Sequence, residues 1–214
     1  MLEPLRKSWT LFRSHFLQLV ISFCVTAVPL QLLIVFSPKR PGWQLFLAYL
    51  FVAAFLTSAS VNVILVGKLE TNESIKYGEV LRKSRENLVG ILSFSIVLYF
   101  FLVVVLYLLS YFLNFLLSLT LLLVPVFTAY ALPEITLNEE GLVKGLRRGI
   151  ILSWDNLLST AALSLIPGAL VVYLWFNGWW MLAWCFIIPF LVVVFTVKFQ
   201  QLDRAQKTQL EEEK

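Results

Sequence analysis

Four long stretches of this chain contain no Asp, Glu, Lys or Arg, and they constrain its fold more than any other feature of its 214 residues. A helix needs about 20 apolar residues to cross the hydrocarbon core of a bilayer. Two of the stretches are long enough for one crossing each, and the other two are long enough for two. The stretches are residues 14–38, 41–67, 87–133 and 156–197. The sequence therefore predicts an all-α, polytopic membrane helix bundle with six transmembrane helices.

The overall composition excludes a soluble fold of this size. Hydrophobic residues make up 59% of the chain and charged residues only 14%, whereas soluble domains have about 45–50% and about 25%. The two double stretches must each contain a turn. Asn177-Gly178 is a strong turn signal in the last stretch, and Asn114 is the best break in the third.

The basic residues predict the orientation, because cytoplasmic loops are enriched in Lys and Arg. Six spans divide the loops and termini into two sets, and one set holds 15 of the 17 basic residues, all except Lys39 and Arg40. That set is predicted to be cytoplasmic, and it includes both termini. We therefore expect a six-span membrane domain over residues 1–200 and a cytoplasmic polar tail over residues 201–214, in a bacterial inner (plasma) membrane.

Three basic segments resemble one another and predict an internal repeat. Each has a Leu, then two basic residues, and then a polar residue where an apolar stretch begins: His15, Asn87 or Asn156. Each segment is amphipathic at helical spacing. The predicted plan is three helical hairpins, each preceded by a basic interfacial helix; the alternative is that any multi-span protein has basic entries to its helices. The residues expected to contact anionic headgroups are Arg6, Lys7, Arg82, Lys83, Arg147 and Arg148.

The sequence offers little that could carry catalysis. It has a single histidine, His15, and no metal-ligand cluster, phosphate-binding loop or nucleophile elbow. The one acidic cluster near the membrane contains Glu134, Glu139, Glu140 and Asp155. These side chains are expected to cap and solvate the third basic helix. We therefore predict no enzymatic activity, no catalytic residue, no metal and no cofactor.

Polar, small and helix-breaking residues inside the spans permit two interpretations. They can allow helices to approach closely and hydrogen-bond, or they can line a polar path or a cavity beside a kinked helix. The residues in question are Ser58, Asn62, Ser164, Pro167 and Gly168.

A distinctive pattern lies between residues 124 and 156. It runs from Pro125 through Ala-Leu-Pro-Glu, an acidic-Gly pair and Gly-Leu-Arg-Arg-Gly to Trp-Asp-Asn, and its candidate motif residues are Pro133, Glu134, Gly141, Trp154 and Asn156. This pattern resembles the hallmark region of bacterial YciC-type inner-membrane proteins. It is also similar to the membrane domain attached to some glycerophosphodiester phosphodiesterases. Two positions depart from the family pattern: Val126 stands where Gly often follows the proline, and Gly149 stands where Ser is usual.

The resemblance implies an inner-membrane protein connected with envelope physiology, and it supplies no catalytic residue. The chain contains no phosphodiesterase domain, so that activity is not implied. Two functions remain open. One is a non-catalytic scaffold or accessory subunit that binds a protein partner or a second copy of itself in the membrane. The other is a transporter or lipid-handling protein with a cavity between Pro-containing helices. Anionic membrane lipids are expected partners, and nucleic acid is not.

Overall fold

The computed structural model describes residues 2–36, 40–71, 73, 77–112, 126, 128–138, 141–177, 179 and 186–212. Within these residues every regular element is a helix, which confirms the predicted all-α class. The helices are α1 (Leu2–Ser14), α2 (Phe16–Phe36), α3 (Pro41–Glu70), α4 (Tyr77–Glu86), α5 (Leu88–Phe112), α6 (Ala131–Leu137), α7 (Leu142–Asp155), α8 (Leu157–Phe176) and α9 (Ile188–Glu212).

Three pairs of helices are separated by a single residue. His15 divides α1 from α2, Asn87 divides α4 from α5, and Asn156 divides α7 from α8. The axes of α4 and α5 differ by 56°, and those of α7 and α8 by 95°. The backbone hydrogen bonds continue through the break, as in Asn156 N–H to Leu152 O at 3.2 Å and Thr160 N–H to Asn156 O at 2.9 Å. In each pair, an amphipathic helix therefore leads directly into an apolar one.

The central helix of the bundle is α3, which packs against α2, α4, α5, α6 and α9. Its C-terminal half is buried on nearly all sides because Leu, Val, Ile, Ala and Ser residues surround its circumference. The main core joins α3 to α2, α5 and α6. Its fully buried members include Phe23, Val63, Ile91, Ala131 and Ile135.

The described residues contain fewer membrane-spanning helices than the six predicted. One helix, residues 42–70, is long and apolar enough to cross a bilayer by itself. Two bent pairs, α4 with α5 and α7 with α8, also pass that test when each is taken as one span, which gives up to three. The predicted turn at Asn114 lies outside the described residues. The other predicted turn begins where α8 ends, and there Asn177 Nδ2 donates to Tyr173 O at 2.8 Å.

The predicted boundary between membrane domain and tail falls inside one helix. α9 continues from Ile188 to Glu212 without a break. Asp203, three residues beyond that boundary, is buried against the rest of the protein.

Candidate functional site

The close contact between α6 and α7 explains part of the motif. Gly145 and Gly149 lie one helical turn apart and face α6, and small residues at this spacing let helix backbones approach. A Cβ atom at Gly149 would lie 2.6 Å from the backbone N and Cα of Ala131, and one at Gly145 would lie 2.6 Å from Cγ1 of Ile135. Gly149, one of the departures from the family pattern, is therefore required by this packing.

Arg148 joins three helices through two carboxylates. Its Nη1 donates to Glu134 Oε1 on α6 at 2.6 Å, and its Nη2 donates to Asp203 Oδ1 on α9 at 2.8 Å. Asn138 Nδ2 also donates to Glu134 Oε1, at 3.0 Å. The side chain of Glu134 is fully buried, so its charge depends on Arg148 for compensation.

The pKa shifts of Asp203 and Arg148 favour the ionised form of each side chain. Burial alone raises the pKa of Asp203, but the hydrogen bonds and charges of Lys207 and Arg148 outweigh it, so the pKa lies below its ordinary value. Burial lowers the pKa of Arg148, but the Glu134 and Asp203 carboxylates outweigh it and raise the pKa overall. Lys207 Nζ lies 2.6 Å from Asp203 Oδ2, one turn along α9.

A second set of ion pairs surrounds the C-terminal end of α3. The buried Glu70 carboxylate accepts a hydrogen bond from Lys7 Nζ on α1 at 2.6 Å, and Arg204 on α9 lies 3.5 Å from the same oxygen. Lys68 contacts Glu79 on α4 at 2.7 Å. The hydrogen bond and charge of Lys68 lower the pKa of Glu79. Together with the Arg148 network, these pairs form what we call the charged cluster, which links α1, α3, α4, α6, α7 and α9.

A polar cavity of about 310 Å³ lies within the charged cluster. Its wall includes Lys68, Lys83, Asp203, Arg204 and Lys207. Three of these cations belong to ion pairs with Glu79, Glu70 or Asp203. The cavity is therefore largely neutralised by the protein's own carboxylates.

The six residues expected at lipid headgroups differ in exposure according to their place in each basic pair. In each pair of basic residues the first side chain is exposed: Arg6, Arg82 and Arg147. The second, Lys7, Lys83 or Arg148, is half-buried. Successive residues are 100° apart around a helix, so one of two neighbours faces outward and the other approaches the protein.

Two expectations from the sequence require correction here. The sequence predicts that Arg148 contacts anionic headgroups and that Glu134 solvates the helix that follows it. Instead the two side chains form an ion pair in which Glu134 is fully buried. Sequence reasoning also missed Glu70, whose only signal is its place three residues after an apolar stretch, and it assigned Asp203 to the polar tail.

The remaining motif residues lie in α6 and α7 or directly next to them. Pro133 is buried in the first turn of α6, where its missing N–H leaves no internal bond unmade. Gly141 is the N-cap residue of α7. Trp154 is exposed. Asn156 donates from Nδ2 to Leu152 O at 3.1 Å at the 95° bend.

The packing candidates fall into two separate places. Asn62 is fully buried and connects α3 to α2: its Nδ2 donates to Leu19 O at 3.0 Å, and its Oδ1 accepts from Ser22 Oγ at 2.9 Å. Ser58 is also buried on α3, and Ser164 is buried on α8. Pro167 and Gly168 are partly buried on α8, and Pro167 lines a second cavity.

That second cavity, which we call the apolar groove, lies between α1, α8 and the start of α9. Its volume is about 760 Å³. One wall carries Ile166, Pro167 and Leu170 of α8, and the rest is mainly aromatic. The rings contact one another in sequence at centroid distances of 5.3–5.9 Å: Trp9–Phe190, Phe190–Phe12, Phe12–Phe16 and Phe16–Phe186. Arg13 is the one charged residue of the lining.

Among the described residues, no group of three or more His, Cys, Asp or Glu side chains could hold a metal ion. Comparisons of the chain with protein-family models, with curated proteins and with solved structures found no match.

Proposed function

We propose that this protein is a non-catalytic integral protein of a bacterial inner membrane, acting as a scaffold or accessory subunit in envelope physiology. The observation that carries the proposal is the charged cluster. Its two fully buried carboxylates, Glu134 and Glu70, are each held by a cation from another helix. Removing one partner of such a pair strongly destabilises the folded protein. The charged cluster therefore fixes the positions of the helices that it links.

The same pairing argues against catalysis. A general acid or base must reach a substrate proton, and these carboxylates are buried and paired with the protein's own cations. The resemblance between residues 124 and 156 and the YciC-type pattern also supports a membrane role. On this view the motif specifies the corner between α6 and α7 and contains no reacting group.

The proposed topology has six spans, with both termini in the cytoplasm. It is supported by the distribution of basic residues, 15 of 17 in one set of segments. The exposed Arg6, Arg82 and Arg147 then form a cytoplasmic ring at the depth of anionic headgroups, where each basic residue contributes about 1 kcal/mol. The three single-residue breaks at His15, Asn87 and Asn156 support the proposed repeat.

A scaffold requires a partner, and we propose a membrane protein or a second copy of this chain. The last part of α9 and the residues after it are the proposed contact, because Arg204 and Thr208 are exposed there and residues 211–214 are all charged. Ser58 is unsuitable for testing this contact because it is buried in the core. A charge at that position would test folding instead.

The experiment is chemical cross-linking in sealed membranes followed by purification in mild detergent. The full chain should yield one defined cross-linked complex, and deletion of residues 210–214 should reduce its yield. A matched variant with Glu211, Glu212 and Glu213 changed to Gln separates charge from length. A chain that stays monomeric in lipid at all concentrations, and that turns over a phosphodiester or other substrate, would contradict the proposal.

The apolar groove favours a second candidate, a protein that transports or handles lipids. Pro167, expected from the sequence to border a cavity, lines this groove. Asn62, expected at the same cavity, instead joins α2 to α3. Redistribution of a fluorescent lipid between the leaflets of proteoliposomes tests this candidate. Faster exchange with the protein than in empty vesicles would support it, and equal rates would contradict it.

A further inference from the structure

The apolar groove has the size and chemistry of a lipid site. Its volume is about 760 Å³, within the range of about 300–1,000 Å³ that is typical of ligand cavities. Its wall is almost entirely apolar, and an extended hydrocarbon chain can lie along its row of aromatic rings.

We propose that the apolar groove binds an acyl chain of an anionic phospholipid, with the lipid phosphate beside Arg13. The inference goes beyond the scaffold role and rests only on the proposed embedding in a membrane. An acyl chain has no hydrogen-bonding groups, so it leaves none unsatisfied against Phe12, Phe16, Phe186 and Phe190. An extended peptide segment would bring backbone N–H and C=O groups that this wall cannot satisfy.

Charge complementarity identifies the headgroup. Arg13 is exposed at the groove and makes no ion pair within the described part of the chain. Lys7, on the same helix, is by contrast paired with Glu70. A shallower hollow continues from the groove past Trp9 and is bordered by Arg6 and Glu3. The three charged residues together carry a net positive charge, which favours an anionic phosphate over a zwitterionic headgroup.

The position of Trp9 fits the boundary between chain and headgroup. Its side chain is 57% exposed while its ring contacts Phe190 edge-on. Tryptophan is enriched at membrane–water interfaces because its ring is amphipathic. A lipid whose phosphate contacts Arg13 would thus have its glycerol region near Trp9 and its acyl chain against α8 and α9.

The test uses the full chain in lipid nanodiscs that contain a trace of phosphatidylglycerol with a photoactivatable group on its acyl chain. After illumination, mass spectrometry locates the labelled peptides. We expect labelling around residues 166–170 and 186–190. Leu170→Trp fills the groove and should abolish this labelling. Arg13→Gln should lower it about fivefold at limiting lipid, the effect of removing one basic residue near an anionic headgroup.

Each variant has a matched control: one adds a Trp to the same helix, and the other removes the same charge. Leu158→Trp adds the same ring to α8 at a side chain that is 87% exposed and does not line the groove. Lys144→Gln removes an exposed cation from α7. Both should label like the unmodified protein. Labelling that is unchanged by Leu170→Trp and by Arg13→Gln would overturn the proposal, and so would equal labelling by a phosphatidylcholine probe.

Incorporation into nanodiscs and monodispersity are recorded for every variant. A protein that does not enter the bilayer contradicts the proposed membrane embedding itself. A protein that enters it but shows no groove labelling contradicts the lipid site alone. If Leu170→Trp misfolds, the comparison of Arg13→Gln with Lys144→Gln still decides the question.

Discussion

The corner between α6 and α7 and the wall formed by α8 are neighbours in the chain, but they are packed in opposite ways. At the corner, Gly149 meets the backbone of Ala131 and Arg148 is held by two carboxylates. Beyond the bend at Asn156, Leu158 and Ile166 of α8 are 87% and 73% exposed. The corner is fixed by contacts within the protein, whereas the outer face of α8 is exposed, and under the proposed membrane embedding lipid covers it.

The largest expected effect comes from Arg148→Ala. This change leaves the buried Glu134 without its cation, and breaking a buried pair costs about 3–5 kcal/mol. Because Arg148 is about one-third exposed, solvent screening reduces the expected loss to about 2–3 kcal/mol. The measurement is the unfolding midpoint in detergent micelles.

Arg147→Ala is the matched control for that change, because the neighbouring side chain is exposed and makes no ion pair in the described residues. Its effect should stay within about 0.5 kcal/mol. A double variant, Arg148→Met with Glu134→Leu, should recover much of the loss by removing both charges. Equal losses for Arg147→Ala and Arg148→Ala would show that the corner does not depend on the ion pair.

The second-largest effect is expected from disrupting the contact between Gly149 and Ala131. Gly149→Ala places a Cβ atom 2.6 Å from backbone atoms of Ala131, so α6 and α7 must separate, at a cost of about 1–3 kcal/mol. Gly78→Ala, on α4, has no neighbouring atom within 4 Å and should be neutral or slightly stabilising. Only Gly149→Ala should therefore lower the unfolding midpoint; equal decreases for both variants would contradict the close contact.

A smaller effect follows from the lowered pKa of Asp203. A carboxyl whose folded-state pKa is depressed contributes stability above its unfolded pKa, and that contribution is lost as the pH falls through the folded value. The protein should therefore lose stability in acid, below the ordinary pKa range of aspartate. Asp203→Asn should cost about 1 kcal/mol at neutral pH and flatten the acid limb of the curve. If the acid limb is unchanged in this variant, Asp203 does not contribute to the stability provided by the charged cluster.

The smallest effect on stability is expected from the outward arginines. Changing Arg6, Arg82 and Arg147 together to Gln should leave the unfolding midpoint nearly unchanged, because none is buried. It should reduce the anionic lipid retained in native mass spectrometry. The reverse pattern, lost stability with unchanged lipid, would contradict the division of each basic pair into an outer and an inner residue.

Local features of the fold could be predicted because periodicity and composition determine them. The apolar stretches predict helices, and the amphipathic segments at residues 5, 81 and 146 lie in α1, α4 and α7 as expected. The breaks also fall at the polar residues that mark the repeat. The number of spans stays a prediction, because residues 113–125 and 180–185 of the two double stretches lie outside the described residues.

The candidate site was less predictable because it depends on contacts between distant segments. Arg148 and Asp203 are 55 residues apart in sequence, and nothing local distinguishes Arg148 from Arg147. The burial of Glu134 likewise depends on where α9 packs. The residues of the motif were visible in the sequence, but the partner of each charge was not.

The most direct test of the central claim determines on which side of the membrane the charged cluster lies. In a variant whose Cys24 and Cys185 are replaced by Ala, single cysteines are placed at Lys39 and, separately, at Lys144 on α7. An impermeant thiol reagent added to sealed cells should label position 39 alone, and position 144 should react only after the membrane is opened. Labelling of position 144 in sealed cells would put the corner and its basic helices on the wrong side of the membrane and contradict the account.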